Sequence, residues 1–225
     1  MTETSALNLV ELSKINGSFE DASPEDIVRW ADATFGDELV FTASFEDAVL
    51  VDIVATAAPT ARVVLLDTQY LFAETEWFAE ELRRRYSLNL GIERPLARVV
   101  PDNLWQTDVE GCCQIRKVEP LQRALLGKAA WITGVRRVDA PTRATAPIVS
   151  WDAGRQLVKI NPLATFTDEQ MATYEMLHDL PRNPLVARGY SSIGCWPCTN
   201  PVAPGEDRRA GRWTGKAKLE CGLHA

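Results

Sequence analysis

Residues 39–66 read LVFTASFEDAVLVDIVATAAPTARVVLL. Two short apolar runs, Leu39–Ala43 and Arg62–Leu66, have the length and composition of buried strands. The stretch between them, Asp47–Ala58, has the length of a helix and carries apolar residues on more than one face. A strand, a helix and a second strand in this order form a crossover unit with two parallel strands. This stretch therefore predicts an α/β protein.

The same alternation continues on both sides of this unit. Upstream, Ser23-Pro24-Glu25-Asp26 has the cap, the proline and the acids of a helix start, and Gly36 ends that helix. Downstream, the predicted elements are a helix over Ala73–Tyr86, a strand over Leu88–Glu93, a helix over Ile115–Leu126, strands over Ala130–Thr133 and Leu157–Ile160, and a helix from the capping box at Thr167 to Leu180. Alternating elements predict a parallel sheet with helices on both faces and ligands beyond the carboxyl ends of its strands.

Composition limits the class of protein. The chain has 225 residues, 46% hydrophobic and 24% charged, which is typical of one ordinary globular domain. No apolar run approaches the roughly 18 residues that span a bilayer, and the first residues lack a secretory signal, so we expect a cytoplasmic protein with no membrane association. The net charge of −7 argues against nucleic-acid binding.

The charge is unevenly distributed along the chain. Residues 1–110 carry 8 basic and 21 acidic residues, whereas residues 111–155 carry 8 and 3, and residues 206–225 carry 5 and 3. Two basic segments in an acidic protein are either solvated faces or a site for a small polyanion such as a nucleotide.

Regular periodicity ends near residue 185, after which Gly, Pro, Arg and Cys dominate. We predict a nucleotide-binding domain over residues 1–204 and a mobile C-terminal tail of the same domain over residues 205–225. The sequence leaves the oligomeric state open, including a homo-oligomer.

Four cysteines fall into two tight clusters, Cys112-Cys113 and Cys195-Trp196-Pro197-Cys198. Paired thiols of this kind hold zinc or iron-sulfur clusters. Side chains of adjacent helical residues point about 100° apart, so two neighbouring thiols reach a centre with several irons more easily than one zinc ion. The alternatives are a pair of small buried hydrophobic residues at 112–113 and a thioredoxin-like redox pair at 195–198.

The fifth cysteine, Cys221, lies in the tail between two lysines and His224. These cations favour a thiolate, so Cys221 is a candidate nucleophile on a mobile segment. Candidate anion-binding residues share a basic or hydroxyl side chain near a predicted site: Lys117, Arg209 and Arg212 near the thiols, Arg136 and Arg137 after a buried strand, and Ser44 after the first strand.

Several sequence motifs resemble those of one enzyme family. They are SFED at 44–47, DTQYLFAET at 67–75, GCCQIRKVEPLQRAL at 111–125, WITGVRRVDAPTRA at 131–144, KINPLATFT at 159–167, LPRNPLVARGYSSIGCWPCT at 180–199, and RAGRW at 209–213 with ECGLH at 220–224. The chain resembles the assimilatory adenylylsulfate (APS) reductases, which are relatives of the phosphoadenylylsulfate (PAPS) reductases and share the adenine nucleotide alpha hydrolase (ATP-pyrophosphatase) fold.

The resemblance implies a function and a set of site residues. It implies a 4Fe-4S cluster on Cys112, Cys113, Cys195 and Cys198, with Cys221 as the nucleophile. It also implies that Lys117 links the cluster to the substrate, and that Arg209, Arg212 and His224 surround the phosphosulfate. The implied reaction reduces APS to sulfite and AMP through an S-sulfocysteine that thioredoxin cleaves, in sulfate assimilation for cysteine biosynthesis.

Two departures and three alternatives accompany this resemblance. The phosphate loop at Ser44 is two residues shorter than the usual pattern, and Gln69 stands where the family's DTG motif has glycine. A PAPS reductase is the nearest alternative, although enzymes specific for PAPS generally lack the four cluster cysteines. A tRNA-thiolation enzyme should show an SGGxDS loop, which this sequence lacks. A zinc or cluster-bearing interaction module would leave Cys221 and the arginines without a role.

Overall fold

The computed structural model describes residues 8–100, 102–216, 218, 220 and 222–223. Cys221 and His224, which the sequence singles out, lie outside the described residues. The helices are α1 (Leu9–Ser18), α2 (Pro24–Phe35), α3 (Val49–Ala57), α4 (Ala73–Tyr86), α5 (Leu104–Thr107), α6 (Val109–Cys113), α7 (Glu119–Ala124) and α8 (Asp168–Leu177). The strands are β1 (Leu39–Thr42), β2 (Arg62–Leu66), β3 (Leu90–Glu93), β4 (Ala130–Ile132), β5 (Val149–Asp152) and β6 (Leu157–Ile160).

The strands form one six-stranded sheet in the order β3-β2-β1-β4-β6-β5. β1 pairs with β4 in parallel, with Val40 opposite Trp131, and β4 pairs with β6 in parallel. The order of the strands reverses between β1 and β4. In open α/β sheets, ligands bind beyond the carboxyl ends of the strands at such a point.

Local sequence signals explain several helix ends. Ser23 accepts a hydrogen bond from the Asp26 backbone N–H, Pro24 takes the first helical position, and α2 ends at Gly36 with φ of 47°. α4 begins and ends at the predicted residues. The predicted capping box is present at α8, where Thr167 accepts from the Gln170 backbone and the Gln170 side chain accepts from Thr167.

The structure corrects the sequence expectation in three places. The sheet is mostly rather than wholly parallel, because β5 pairs antiparallel to β6, with Ser150 opposite Lys159. The predicted helix over Ile115–Leu126 is interrupted: a π-helical segment over Gln114–Val118 separates α6 from α7. α1 was not predicted, although Asn8 and Glu11 form a capping box at its start.

The chain folds into two compact units. Unit 1 comprises the described parts of Met1–Ala43, Val49–Val63 and Gly127–Leu180. Unit 2 comprises the described parts of Ser44–Ala48, Val64–Leu126 and Pro181–Ala225. None of the helices within the described ranges has the length and hydropathy needed to cross a membrane.

Unit 1 is organised around the central strands β1 and β4. Trp131 of β4 is fully buried, and its Nε1 donates to Thr42 Oγ1 at 2.8 Å, so the buried indole has a hydrogen-bond partner. Phe41 and Ile132 are also buried. Burial of each such side chain contributes about 1.5–3 kcal/mol relative to exposure.

Unit 2 has its own apolar core. Phe78 and Leu82, four residues apart on α4, are fully buried, as is Leu121 of α7. Phe45, which follows β1, is buried with a φ of 54°, a left-handed conformation that bulky residues rarely adopt. Its carbonyl accepts a hydrogen bond from the buried side chain of Asn183 at 3.1 Å, which helps to hold this turn.

Candidate functional site

The first pair of cysteines lies at the carboxyl end of α6. The Asp108 side chain caps this helix by accepting a hydrogen bond from the Gly111 backbone N–H at 2.9 Å. A Cβ on Gly111 would lie 2.2 Å from Asp108 Oδ2, so only glycine fits this close approach. Cys112 and Cys113 follow at once, and both are buried. The capped turn therefore directs two adjacent thiols into the interior of unit 2.

The second pair is held by a tight turn over Trp196–Cys198. The Cys198 backbone N–H donates to the Cys195 carbonyl at 3.0 Å, and the Trp196 N–H donates to the Tyr70 carbonyl at 2.8 Å. Thr68 Oγ1 lies 3.2 Å from Cys195 Sγ, within hydrogen-bonding distance. The loop that follows β2 thus docks the cysteine turn through both backbone and side chain.

The four thiols line one cavity in unit 2. The residues lining it are Tyr70, Trp105, Val109, Cys112, Cys113, Arg116, Lys117, Cys195, Pro197, Cys198 and Trp213. Within the described ranges, no three His, Cys, Asp or Glu side chains form a group that could hold a metal ion. The donor set nevertheless has the type and number of ligands that iron-sulfur clusters take, so these residues fit such a group in chemistry and count.

Burial governs the protonation of these thiols. It raises the pKa of Cys112 to about 11, with added repulsion from Cys113 and Cys195, while the charge of Arg116 opposes the rise. Burial and the neighbouring Cys195 also raise the pKa of Cys198, against the charges of nearby cations, first among them Lys117. Both thiols are therefore protonated near neutral pH without a metal, and metal binding must release protons.

Arg116 is a buried cation beside these thiols. Its side chain is 1% exposed and its guanidinium carbon lies 4.6 Å from the centre of the Tyr70 ring, a cation–π distance. Its Nη2 donates to the Val100 carbonyl at 2.7 Å and lies 3.4 Å from Asp102 Oδ2. In the sequence, Arg116 is only a basic residue next to the candidate Lys117, and nothing in the pattern indicates that it is buried.

Two of the predicted anion-binding arginines meet at Trp213. The guanidinium carbons of Arg212 and Arg209 lie 4.7 Å and 5.6 Å from the centre of its ring. Arg212 Nη1 donates to Ser192 Oγ at 3.2 Å, and a Cβ on Gly194 would lie 2.3 Å from Arg212 Nη2. The glycine before the cysteine turn therefore makes room for Arg212. Trp213 itself was missed by sequence reasoning, and its φ of 48° carries no sequence signal.

The described tail residues contact the segment that carries Cys112 and Cys113. Lys218 forms an ion pair with Glu110, and Lys216 Nζ donates to the Trp105 carbonyl at 2.6 Å. Glu220 lies 3.3 Å from Arg209, oxygen to nitrogen.

The remaining predicted residues have other surroundings. Ser44 is exposed in unit 2, just after β1. In unit 1, Arg136 is buried, with Nη2 2.7 Å from Asp139 Oδ1 and 2.8 Å from Asp168 Oδ1. Arg137 makes two hydrogen bonds of 2.8 Å to the Glu20 carboxylate. Both guanidinium groups are thus engaged by carboxylates of unit 1, and their contact with a substrate stays a prediction.

The fold places the chain in a class of α/β proteins with a mostly parallel sheet. Candida glabrata FMN adenylyltransferase, solved with FAD and inorganic pyrophosphate, superposes with a TM-score of 0.59 over 84% of this chain and 73% of that chain. At 15% identity this likeness concerns the fold alone. It confirms the predicted fold class, the adenine nucleotide alpha hydrolase type.

Sequence comparison identifies the family within that class. Residues 38–201 match the phosphoadenosine phosphosulfate reductase domain, and the chain belongs to this family. An adenosine 5'-phosphosulfate reductase of Mycolicibacterium smegmatis is 48% identical over 210 residues, covering 91% of this chain and 89% of the relative. The solved phosphoadenylyl-sulfate reductase of Candida auris, a phosphate complex, is 27% identical with a TM-score of 0.77, over 87% of this chain and 98% of that chain. The predicted family is confirmed.

Proposed function

We propose that this protein reduces adenylylsulfate (APS) to sulfite and AMP, with thioredoxin as the reductant and an S-sulfocysteine on Cys221 as the intermediate. The observation that carries the proposal is the convergence of four cysteine thiols, Lys117 and Arg116 on one cavity. The tail that bears the fifth cysteine contacts the same segment through Lys218. We assign the reaction to assimilatory sulfate reduction in the cytoplasm, where thiols stay reduced.

APS is favoured over PAPS as the substrate for two reasons. Relatives that are 42–48% identical over most of the chain carry the name adenosine 5'-phosphosulfate reductase. In addition, the resemblance associates four cluster cysteines with enzymes that act on APS, and this chain has all four at Cys112, Cys113, Cys195 and Cys198.

We propose that these four residues hold a 4Fe-4S cluster. Three of them are buried and Cys198 is partly buried, and their number and common cavity support the assignment. When bound, the cluster would supply the cations that keep the four thiolates ionised and would fix the two segments that carry them. Lys117 lines the same cavity, which supports the proposal that its ammonium attracts the anionic substrate.

The proposed reaction has two chemical steps, and both take place at the sulfur of Cys221. The Cys221 thiolate attacks the sulfur of APS; an S–S bond forms, the S–O bond to the phosphate breaks, and AMP leaves with that electron pair. An external thiol of reduced thioredoxin then attacks the Cys221 sulfur and releases sulfite. The second thioredoxin thiol resolves the mixed disulfide, so the dithiol supplies the two electrons.

The cationic side chains act on the charge that moves in these steps. Arg209 and Arg212 carry forked donors that suit phosphate and sulfate oxygens, and both are held against Trp213. We assign them, with Lys117 and His224, to the phosphosulfate. Stabilising the negative charge that develops on the leaving phosphate lowers the barrier to attack by Cys221.

Turnover on two nucleotides tests this function. The protein, purified without oxygen, is mixed with reduced thioredoxin and either APS or PAPS, and sulfite and adenosine nucleotide are measured together with bound iron. We expect about four irons per chain, visible absorption, and sulfite formation that is much faster from APS. A colourless protein with one zinc and no turnover would support an interaction module instead, and equal or faster turnover of PAPS would contradict the substrate assignment.

A further inference from the structure

Gln69 has an unusual backbone conformation beside the cysteine cavity. Its φ is 66°, in the left-handed region, which residues other than glycine and asparagine rarely adopt. It follows Asp67 and Thr68, whose side chains accept hydrogen bonds from the backbone N–H groups of Gln69 and Tyr70 at 2.8 and 3.1 Å. Glycine would fit this turn with less strain, so the presence of glutamine calls for a reason in its side chain.

The Gln69 side chain binds the buried cation of the site. Its Oε1 accepts a hydrogen bond from Arg116 Nη1, which also donates to the Thr68 carbonyl at 3.3 Å. The other terminal nitrogen of Arg116 is held by Val100 and Asp102. Within the described part of the chain, Nε of Arg116 has no hydrogen-bond partner, so its orientation depends on the two terminal nitrogens.

We propose that Gln69 is a positioning residue that fixes the Arg116 guanidinium beside the thiols of Cys112 and its neighbours. The proposal rests on the proposed function, because the charge of Arg116 would then offset the negative charge of the thiolates that hold the cluster. Two features support it: the strained turn presents the Gln69 side chain to Arg116, and Arg116 lies in the π-helical segment directly after Cys113.

The chain contains a matched control for this position. Gln156 also has a left-handed backbone, with φ of 56°, is exposed like Gln69, and uses its side chain in one hydrogen bond, from Nε2 to the Ala153 carbonyl at 2.7 Å. It lies in unit 1, in the turn between β5 and β6. Replacement of either glutamine by glycine relieves backbone strain, whereas replacement by alanine keeps it.

The test compares Gln69→Gly and Gln69→Ala with Gln156→Gly and Gln156→Ala. The first measurement is the rate at which a chelator removes iron from the reconstituted protein, followed by visible absorption. We expect both Gln69 variants to lose iron roughly fivefold faster than wild type, the factor that corresponds to about 1 kcal/mol for one lost hydrogen bond. Both Gln156 variants should match wild type. A Gln69→Gly protein that keeps its iron as long as wild type would overturn the proposal.

The second measurement separates this inference from the proposed function. In urea unfolding of the metal-free proteins, Gln69→Gly should lower the folding equilibrium constant roughly fivefold more than Gln156→Gly does, because the hydrogen bond lost at Gln69 is to a charged guanidinium and the one lost at Gln156 joins two neutral groups. If wild type takes up no iron, the cluster assignment fails and this comparison alone decides the anchoring of Arg116. Equal stability of the two glycine variants would overturn that anchoring. A stability loss with unchanged iron retention would make Gln69 a purely structural residue and also overturn the proposal.

Discussion

Replacement of two adjacent arginines by methionine should have very different consequences. The Arg136 side chain is 3% exposed and lies between Asp139 and Asp168, whereas the Arg137 side chain is 26% exposed and pairs with the half-exposed Glu20. Breaking a buried ion pair costs about 3–5 kcal/mol, because the remaining charge stays buried. Asp168 is 74% exposed and can rehydrate, so we expect a cost near the lower limit, about 3 kcal/mol, for Arg136→Met. For Arg137→Met we expect about 0.5–1 kcal/mol.

Urea unfolding, followed by circular dichroism and by tryptophan fluorescence, measures both costs. Trp131 in β4 is fully buried in unit 1, so its exposure to water contributes to the fluorescence change, together with the other six tryptophans. In Arg136→Met, Asp139 keeps a second ion pair, with Arg143 at 3.6 Å, so its carboxylate is not left without a partner. A loss below about 1 kcal/mol for Arg136→Met, or a larger loss for Arg137→Met than for Arg136→Met, would refute this reasoning.

The pH dependence provides a further check on the weaker pair. The hydrogen bond from Arg137 holds the pKa of Glu20 below its usual value of 4.5. A lowered carboxyl pKa in the folded state contributes stability above the unfolded pKa, and this contribution disappears as the pH falls through the folded value. The stability difference between wild type and Arg137→Met should therefore be present at pH 7 and vanish in acid. Since this variant should fold, its KM for APS also tests whether Arg137 binds the substrate.

Three further substitutions test the site itself. Cys195→Ser should lose iron and make the cysteine turn sensitive to protease, because metal binding there is coupled to folding; retained iron would contradict its assignment as a ligand. Arg212→Lys should lower kcat/KM for APS by roughly ten- to a hundredfold, because an ammonium cannot replace the forked guanidinium donor, while the visible spectrum of the cluster stays intact. Wild-type kinetics in this variant would contradict the assignment of Arg212 to the phosphosulfate. Lys218→Met removes the ion pair with Glu110, so we expect sulfite formation to fall about three- to tenfold and the tail to become sensitive to protease. The control, Glu76→Gln on the exposed face of α4, should change neither the rate of sulfite formation nor the protease sensitivity.

The sequence predicts most elements of this fold because their signals are local. The boundaries of α4 and the capping box at Thr167 follow from caps and periodicity within a few residues. β5 was missed because it is a short edge strand in which Val149 alone is buried, so it has no apolar run. The interruption over Gln114–Val118 does have a sequence signal that the prediction passed over: Pro120 has no backbone N–H to bond to the carbonyl of residue 116, which favours a break at this point.

In the candidate site, too, some residues were predictable from local sequence signals and others depend on the fold. The cysteines are visible in the sequence because thiols that occur in closely spaced pairs are typical of metal and redox sites, and the structure places all four on one cavity. The burial of Arg116 and the contacts of Tyr70 and Trp213 were not predicted, because they depend on long-range packing and on backbone conformations that the sequence pattern does not encode. Cys221 and His224 remain predictions from the sequence and the resemblance.

The most direct test of the central claim is the intact mass of the protein after exposure to APS without reductant, measured for wild type and for Cys221→Ser. Serine is a far weaker nucleophile than a thiolate near neutral pH. We expect wild type to gain one sulfonate group and release one AMP, and Cys221→Ser to keep its iron and colour but gain no mass. A Cys221→Ser protein that still forms the adduct, or a wild type that releases sulfite with thioredoxin but never carries the adduct, would contradict the claim.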